Sequence, residues 1–298
     1  MKRLLLILGI LIFTVSLLLL IIPKTRAASV VGILFSAFII LYSKKYKPVE
    51  PLTENEINIV KSIIDNSEAI SQNFNNINEN TIFINAKKSG HDKKSEYYVS
   101  DTGQYVSTEE YVKEYYQNAG FKVLRTEVSF WQAVTTLFFW NVIYNNEPCG
   151  GNDIPRDIFT DSFFKRNSYM MKSYLLNNYR NSIKEIVMGN LNRYNYKKYF
   201  SRLVNDGKKN IEENNELVRE FLDKIDVKQF FFIAHTILRD LNNNRAGLPD
   251  FIVWKGSDLF HVEVKRKNEK LRETQLKWIN LFENQEIKYK IIRVCNEK

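Results

Sequence analysis

Cysteine is scarce in this 298-residue chain, and the two present, Cys149 and Cys295, stand far apart in no metal-ligand spacing. That argues against a disulfide framework and suits a reducing compartment. Acidic residues are missing altogether from residues 1–47, a stretch that holds seven Lys and Arg. With 44% hydrophobic and 26% charged residues the composition is that of a globular protein, not a disordered tail. The length gives room for one substantial domain, alone or beside a smaller module.

The net charge of +9 suggests a nucleic-acid partner, but most of it belongs to the first 47 residues. Residues 48–162 hold 9 basic against 17 acidic side chains, residues 163–210 hold 11 against 2, and residues 239–298 hold 13 against 9. Basic surface is therefore expected in the middle of the chain and at its end.

Leu4 to Ile22 is an apolar run broken only by Gly9, Thr14 and Ser16. Nineteen helical residues span roughly 28 Å, close to the hydrocarbon thickness of a bilayer. A polar turn, Pro23 to Arg26, leads to a second apolar run, Ala28 to Tyr42. A secretory leader would have a shorter apolar stretch and no second one at once behind it. The expectation is a transmembrane hairpin over residues 1–47. Lys2 and Arg3 before it and Lys44, Lys45 and Lys47 after it outnumber Lys24 and Arg26 between. That bias predicts a multi-pass membrane protein with both termini cytoplasmic.

Residues 48–104 read as a linker with a small helical region, in which Ile57, Val60, Ile63 and Ile64 form a stripe within 52–72. From residue 105 the signals sharpen. Ser107-Thr108-Glu109-Glu110 fits a capping box, and Gly120 supplies a left-handed residue at the end of that helix. Phe121 to Thr126 reads as a strand and Ser129 to Tyr144 as an apolar helix. Residues 157–238 alternate helical stripes with Asn-rich breaks. Strand (251–254), turn, strand (259–265), helix (271–284) and strand (289–294) follow. The spacing predicts a mixed α/β core with a helical insert.

Two stretches carry the chemistry: Gly247-Leu248-Pro249-Asp250-Phe251-Ile252-Val253-Trp254 and Leu259-Phe260-His261-Val262-Glu263-Val264-Lys265. Alternation along a strand puts His261, Glu263 and Lys265 on one face. Asp250 lies at the start of the preceding strand. Two carboxylates from neighbouring strands, with the Val264 carbonyl, offer hard oxygen ligands to Mg²⁺ or Mn²⁺. Such an ion polarises a phosphoryl oxygen and lowers the pKa of water, and Lys265 would orient the attacking water or offset charge. The plain alternative is a hairpin with a cross-strand charge pair, since E-x-K alone is common. Gln275 falls within the buried stripe of Leu271, Trp278, Ile279 and Phe282 and needs a polar partner there, unless it reaches water at the stripe's edge. His91 and His235 read as structural or solvent-facing, while His261 faces the carboxylates and could touch substrate.

These motifs, G-L-P-D-F-I-V-W, V-E-V-K and the later Q-L-K-W, resemble the VRR-NUC domain, a branch of the PD-(D/E)XK nucleases. Glu127 with the helix ending Phe139-Trp140-Asn141-Val142-Ile143-Tyr144, and Asp157 to Phe164, resembles the nuclease end of Fanconi-associated nucleases. The likeness covers roughly residues 105–298. It implies a restriction-endonuclease-like core, a mixed sheet flanked by helices, with a helical insert at about 157–238. It implies a metal-dependent endo- or exonuclease acting on flapped, branched or free-ended DNA, in which Asp250, Glu263, Lys265 and Gln275 are catalytic. By resemblance Glu127 is a further metal ligand; from sequence alone it is an exposed Glu near a helix N-terminus, favoured by the dipole. Arg245 near substrate phosphate and a monomeric nuclease domain are likewise implications of the likeness. Where the family usually has Gly after E-V-K, this chain has Arg266-Lys267, and Val128 and Asn141 replace a Gly and an Asp.

Within 163–210, Lys165, Arg166, Lys172 and further basic residues alternate with Phe and Tyr. The cations, with Arg266 and Lys267, are candidates for DNA phosphate; the aromatics fit a helical core better than a stacking platform. Two other readings stay open: a catalytically inactive DNA-binding membrane tether, and a nuclease effector against foreign DNA.

Overall fold

The computed structural model describes residues 50–68, 80–87, 98–100, 103–126, 128–143, 161–193 and 211–296. The chain divides into two units, residues 1–53 and 54–298, and the second contains every element named below. Its elements are α1 (Glu54–Glu68), β1 (Thr81–Ala86), β2 (Tyr98–Val99), β3 (Tyr105–Val106), α2 (Thr108–Asn118), β4 (Lys122–Arg125), α3 (Val128–Phe138) and α4 (Trp140–Ile143). Then come α5 (Asp161–Asn178), α6 (Ile183–Arg193), α7 (Asn215–Lys224), α8 (Val227–Arg239), α9 (Leu241–Asn244), β5 (Phe251–Lys255), β6 (Asp258–Arg266), α10 (Glu273–Asn284) and β7 (Tyr289–Asn296).

Five strands form one mixed sheet in the order β1-β7-β6-β5-β4. β4, β5 and β6 pair antiparallel, whereas β6, β7 and β1 are parallel. Only β5 and β6 are joined by a tight turn, which Gly256 at φ +62° supplies, whereas β4 reaches β5 through the helical insert between residues 126 and 250. The parallel step from β6 to β7 needs a crossover, and α10 provides it.

Alternation sends the strand side chains into two cores. Phe251, Val253, Phe260, Val262, Val264, Ile292 and Val294 pack with Val112 and Tyr116 of α2. Ile252, Trp254 and Ile291 turn the other way, into a larger core with α1, α3, α5 to α8 and α10. Both faces of the sheet are therefore covered, and the polar residues of β6 have access to solvent only at an end.

At α2 the Ser107 half of the expected capping box and the left-handed glycine are present: Glu110 N–H donates to Ser107 Oγ at 3.2 Å, while the Glu110 carboxylate pairs with Lys113, and Gly120 has φ +80°. The apolar helix expected over 129–144 is broken at Phe139 into α3 and α4. β1 escaped the sequence reading because it is an edge strand: Phe83 is 62% and Ile82 38% exposed, so no clean alternation marks it.

The multi-pass membrane localisation is corrected. Among the described residues no helix is long and apolar enough to cross a membrane. The longest, α5, has 18 residues but includes Asp161, Lys165, Arg166 and Lys172, and the very apolar α8 has only 13 and is buried inside the protein. The two runs proposed as a hairpin, 4–22 and 28–42, lie outside the described residues.

Two buried histidines tie the helices together. His235 Nδ1 on α8 lies 2.6 Å from Ser67 Oγ, and Arg239 donates to the Ser67 carbonyl, which fixes α1 on α8. His261 lies under Trp131 and Phe282 and accepts from the Gln229 amide at 2.9 Å. Burial lowers His235 to about 4, with Arg239 adding, and His261 to about 3. Both are neutral in the fold, so their contribution is complete above the ordinary value of 6.5 and is lost as pH falls towards 4. The unfolding free energy, measured in urea, is expected to drop across that window, and less steeply in His235→Gln. A slope unchanged by that substitution would contradict the assignment.

Candidate active site

Strand pairing assembles the site. Phe251 pairs with Val262, so Asp250, one residue earlier, stands opposite Glu263. Asp250 is tied at both ends: Oδ2 accepts from the Val264 N–H at 2.8 Å, and its carbonyl accepts from the Thr126 N–H at 2.8 Å. Thr126 also donates its hydroxyl to the Pro249 carbonyl at 3.1 Å, which fastens the Pro-Asp step to the end of β4.

Glu263 is 2% and Lys265 4% exposed, and their charged ends are 2.8 Å apart. Gln275, also 2% exposed, donates Nε2 to Glu263 Oε1 while its own oxygen accepts from the Arg272 N–H at 2.9 Å. The same amide thus closes the first turn of α10 and fixes the orientation of Glu263. Lys265 reaches a second carboxylate, Glu269, at 3.2 Å. Glu263 Oε2 is buried with no hydrogen-bond partner among the described residues.

The electrostatics follow from burial. Desolvation pushes the Glu263 carboxyl up to about 8, Asp250 adds to the rise, and Lys265 and Arg272 oppose it. Burial alone would lower Lys265, but Glu263 and Glu269 outweigh it and raise it, so the amine stays an ammonium. The one buried ammonium faces two carboxyl groups, Glu263 and Glu269, and Asp250 adds its charge beside Glu263. An orphaned carboxylate oxygen in such a place, beside Asp250, fits a hard divalent cation.

A cleft of about 390 Å³ opens at this end of the sheet, lined by Thr108, Glu109, Asp250, Val264, Lys265, Arg266, Glu269, Arg272 and Gln275. Of the residues named from sequence, Asp250, Glu263, Lys265 and Gln275 are brought together, and Val264 and Arg266 line the cleft. Lys267 is exposed beside it, Arg245 is exposed at the C-cap of α9, and Lys165 and Arg166 are exposed on α5 with Lys172 half-buried. Glu127 lies outside the described residues. His261 faces the expected way but is fully buried against aromatic rings.

Four lining residues were missed: Thr108, Glu109, Glu269 and Arg272. Glu109 was read only as part of a helix start. Glu269, four residues beyond Lys265, carried a signal in that spacing, but only the reversal of the chain after β6 makes the two meet.

Residues 180–296 match the VRR-NUC domain, the domain named from the Pro-Asp and E-V-K motifs. Over 245 residues the chain is 25% identical to the Fanconi-associated nuclease 1 homolog of Schizosaccharomyces pombe, an alignment covering 79% of this chain and 34% of that protein. Crystal structures of paFAN1 bound to DNA with a gap and a 5′ flap superpose on 96% of this chain and 46% of theirs, at 17% identity. The TM-scores are 0.54 for the 2-nt flap complex and 0.59 for the 1-nt flap complex, which establishes a shared fold. The chain spans about a third of the curated relative and under half of the solved chains.

Proposed function

We propose that this chain, which carries a VRR-NUC domain over residues 180–296, is a divalent-metal-dependent nuclease that hydrolyses DNA phosphodiesters, on flapped, branched or free-ended DNA. The observation that carries the reading is the buried Glu263 carboxylate, held by Lys265 and Gln275 with one oxygen unpaired, opposite Asp250. The flapped DNA in the paFAN1 complexes supports the choice of substrate.

Asp250 and Glu263, with the Val264 carbonyl and Glu127, would hold Mg²⁺ or Mn²⁺. Such an ion polarises the phosphoryl oxygen and makes water more acidic at neutral pH. The remaining work falls to side chains. Gln275 fixes the Glu263 carboxylate, and the Val264 N–H fixes Asp250, so neither acid must reorganise when substrate arrives. Lys265, held as an ammonium, orients the attacking water and offsets charge on the phosphorane-like transition state. Arg266 on the cleft with Lys267 after it, Arg245 at the end of α9, and Lys165, Arg166 and Lys172 on α5 would supply phosphate affinity independent of sequence. The domain would act as a monomer.

The test is cleavage of a 5′-flapped duplex by the purified chain. Cleavage is expected with Mg²⁺ or Mn²⁺, none with chelator, and a loss of at least about a hundredfold in Asp250→Asn. Cleavage without a divalent ion, or full activity in that variant, would refute the proposal. Salt-dependent DNA binding without turnover under any divalent ion would favour an inactive DNA-binding protein instead.

A further inference from the structure

We propose that Arg293 on β7 is a positioning residue, whose guanidinium clamps the loop after β6 and thereby holds Glu269 against the Lys265 ammonium. The inference rests on the nuclease reading of the site. The loop from Lys267 to Arg272 carries Lys267, Lys270 and Arg272, contains neither proline nor glycine, and is exposed from 266 to 270. Little packing of its own would fix it.

Within it the Glu269 N–H donates to the Arg266 carbonyl at 3.1 Å, and Arg293 adds ties from the neighbouring strand to three carbonyls. Arg293 Nη1 donates to the carbonyl of Glu269 at 2.7 Å and approaches those of Arg266 and Lys267 at 3.2 and 3.3 Å. Two hydrogens on one nitrogen serve three acceptors, so the Glu269 bond is the strong one and the others are shared. Glu269 then uses both carboxylate oxygens: Oε1 lies 3.2 Å from Lys265 Nζ, and Oε2 accepts from the Arg266 N–H at 3.3 Å. Those contacts are long, and a shift of the loop by about 1 Å would break them.

Register explains why the clamp has to be an arginine in this place. Lys265 and Arg293 are direct partners across the parallel β6–β7 ladder, so their side chains leave the same face of the sheet. Two cations side by side repel. Directing the guanidinium into the loop carbonyls occupies one of them, and Glu269 compensates the other. The Lys265 ammonium therefore stays between Glu263 and Glu269.

Arg293→Lys keeps the charge and loses the fork. Hydrogen exchange of the full chain, without divalent ion, is expected to become faster across 266–270 in that variant. With Mg²⁺ and a flapped duplex its single-turnover rate should fall tenfold to about a hundredfold, while DNA affinity stays within about twofold. Glu269→Gln should lose a similar factor, and the double variant should be no slower than the worse single one. Unchanged exchange in the loop, a loss confined to DNA affinity, or additive losses in the double variant would each overturn the clamp. A parent chain that cleaves nothing would sink the nuclease reading; a parent that cleaves, with Arg293→Lys equally fast, would sink this inference alone.

Discussion

Replacing Gly247 with alanine is expected to destabilise the fold by about 3 kcal/mol and to reduce cleavage at least about a hundredfold. Gly247 has φ +93°, a conformation that side chains with a Cβ rarely adopt. A Cβ there would overlap the carbonyl group of Thr274 and lie 2.8 Å from the Gln275 backbone nitrogen. Both are backbone atoms of the first turn of α10, so no side chain can swing aside. Nor is the helix free to retreat. Trp278 donates its indole N–H to the Asn244 carbonyl at 3.2 Å, and Lys277 donates to the Asn244 side chain at 2.6 Å. The strain must enter either the approach to Asp250 or the turn that presents Gln275, and each route displaces a carboxylate of the site. Urea unfolding measures the first effect and flap cleavage the second. A Gly247→Ala chain as stable and as active as the parent would show that the close approach is unimportant.

The sequence reading succeeded where local periodicity decides the outcome. Strand alternation put Glu263 and Lys265 on one face, and helical spacing from Leu271 turned Gln275 inward, where it meets Glu263. The α2 boundaries followed from Ser107 and Gly120, whose roles are local. Parity, however, gives a face and not a depth. His261 shares the face of Glu263 yet lies beneath Trp131, because α3 covers that part of β6. What depends on register between distant segments was invisible. Arg293 meets the 266–270 loop only because β7 returns parallel beside β6, and Gly247 meets Thr274 only because α10 crosses back over α9. β1 was missed for lack of burial, and the membrane localisation is overturned by the absence, among the described residues, of any helix long and apolar enough to cross a bilayer. Charge counts located Lys165 and Arg166 on an exposed helix face but said nothing about their reach to the cleft.

Lys265→Met should abolish cleavage, by a factor of about a thousand, with only a small loss of DNA affinity and a stability cost that depends on pH. Removing one member of a buried ion pair usually costs about 3–5 kcal/mol, because a charge is stranded. Glu263 has an escape, since burial and Asp250 already hold its carboxyl near 8, and loss of the ammonium raises it further. The sign follows: a carboxyl raised in the fold favours folding while protonated, and that contribution is lost as pH rises from the ordinary value of 4.5 through the folded one. In the variant the upper end of this window moves above 8. At pH 6 the acid is neutral and the variant should be nearly as stable as the parent. By pH 9 the parent has lost this contribution in full and loses no more, because its ionised acid lies against the ammonium, whereas the variant goes on losing stability above 8, since it must either bury an unpaired charge or stay protonated against the solution. Chemical unfolding of both chains at the two pH values, without divalent ion, should therefore show a gap that widens with pH. Arg in the same place would keep a charge, but its planar fork cannot fill the compact position between Glu263 and Glu269, so Lys265→Arg should not restore cleavage. Equal destabilisation at both pH values would mean that Lys265 serves packing alone, and undiminished cleavage by Lys265→Met would remove the ammonium from the chemistry.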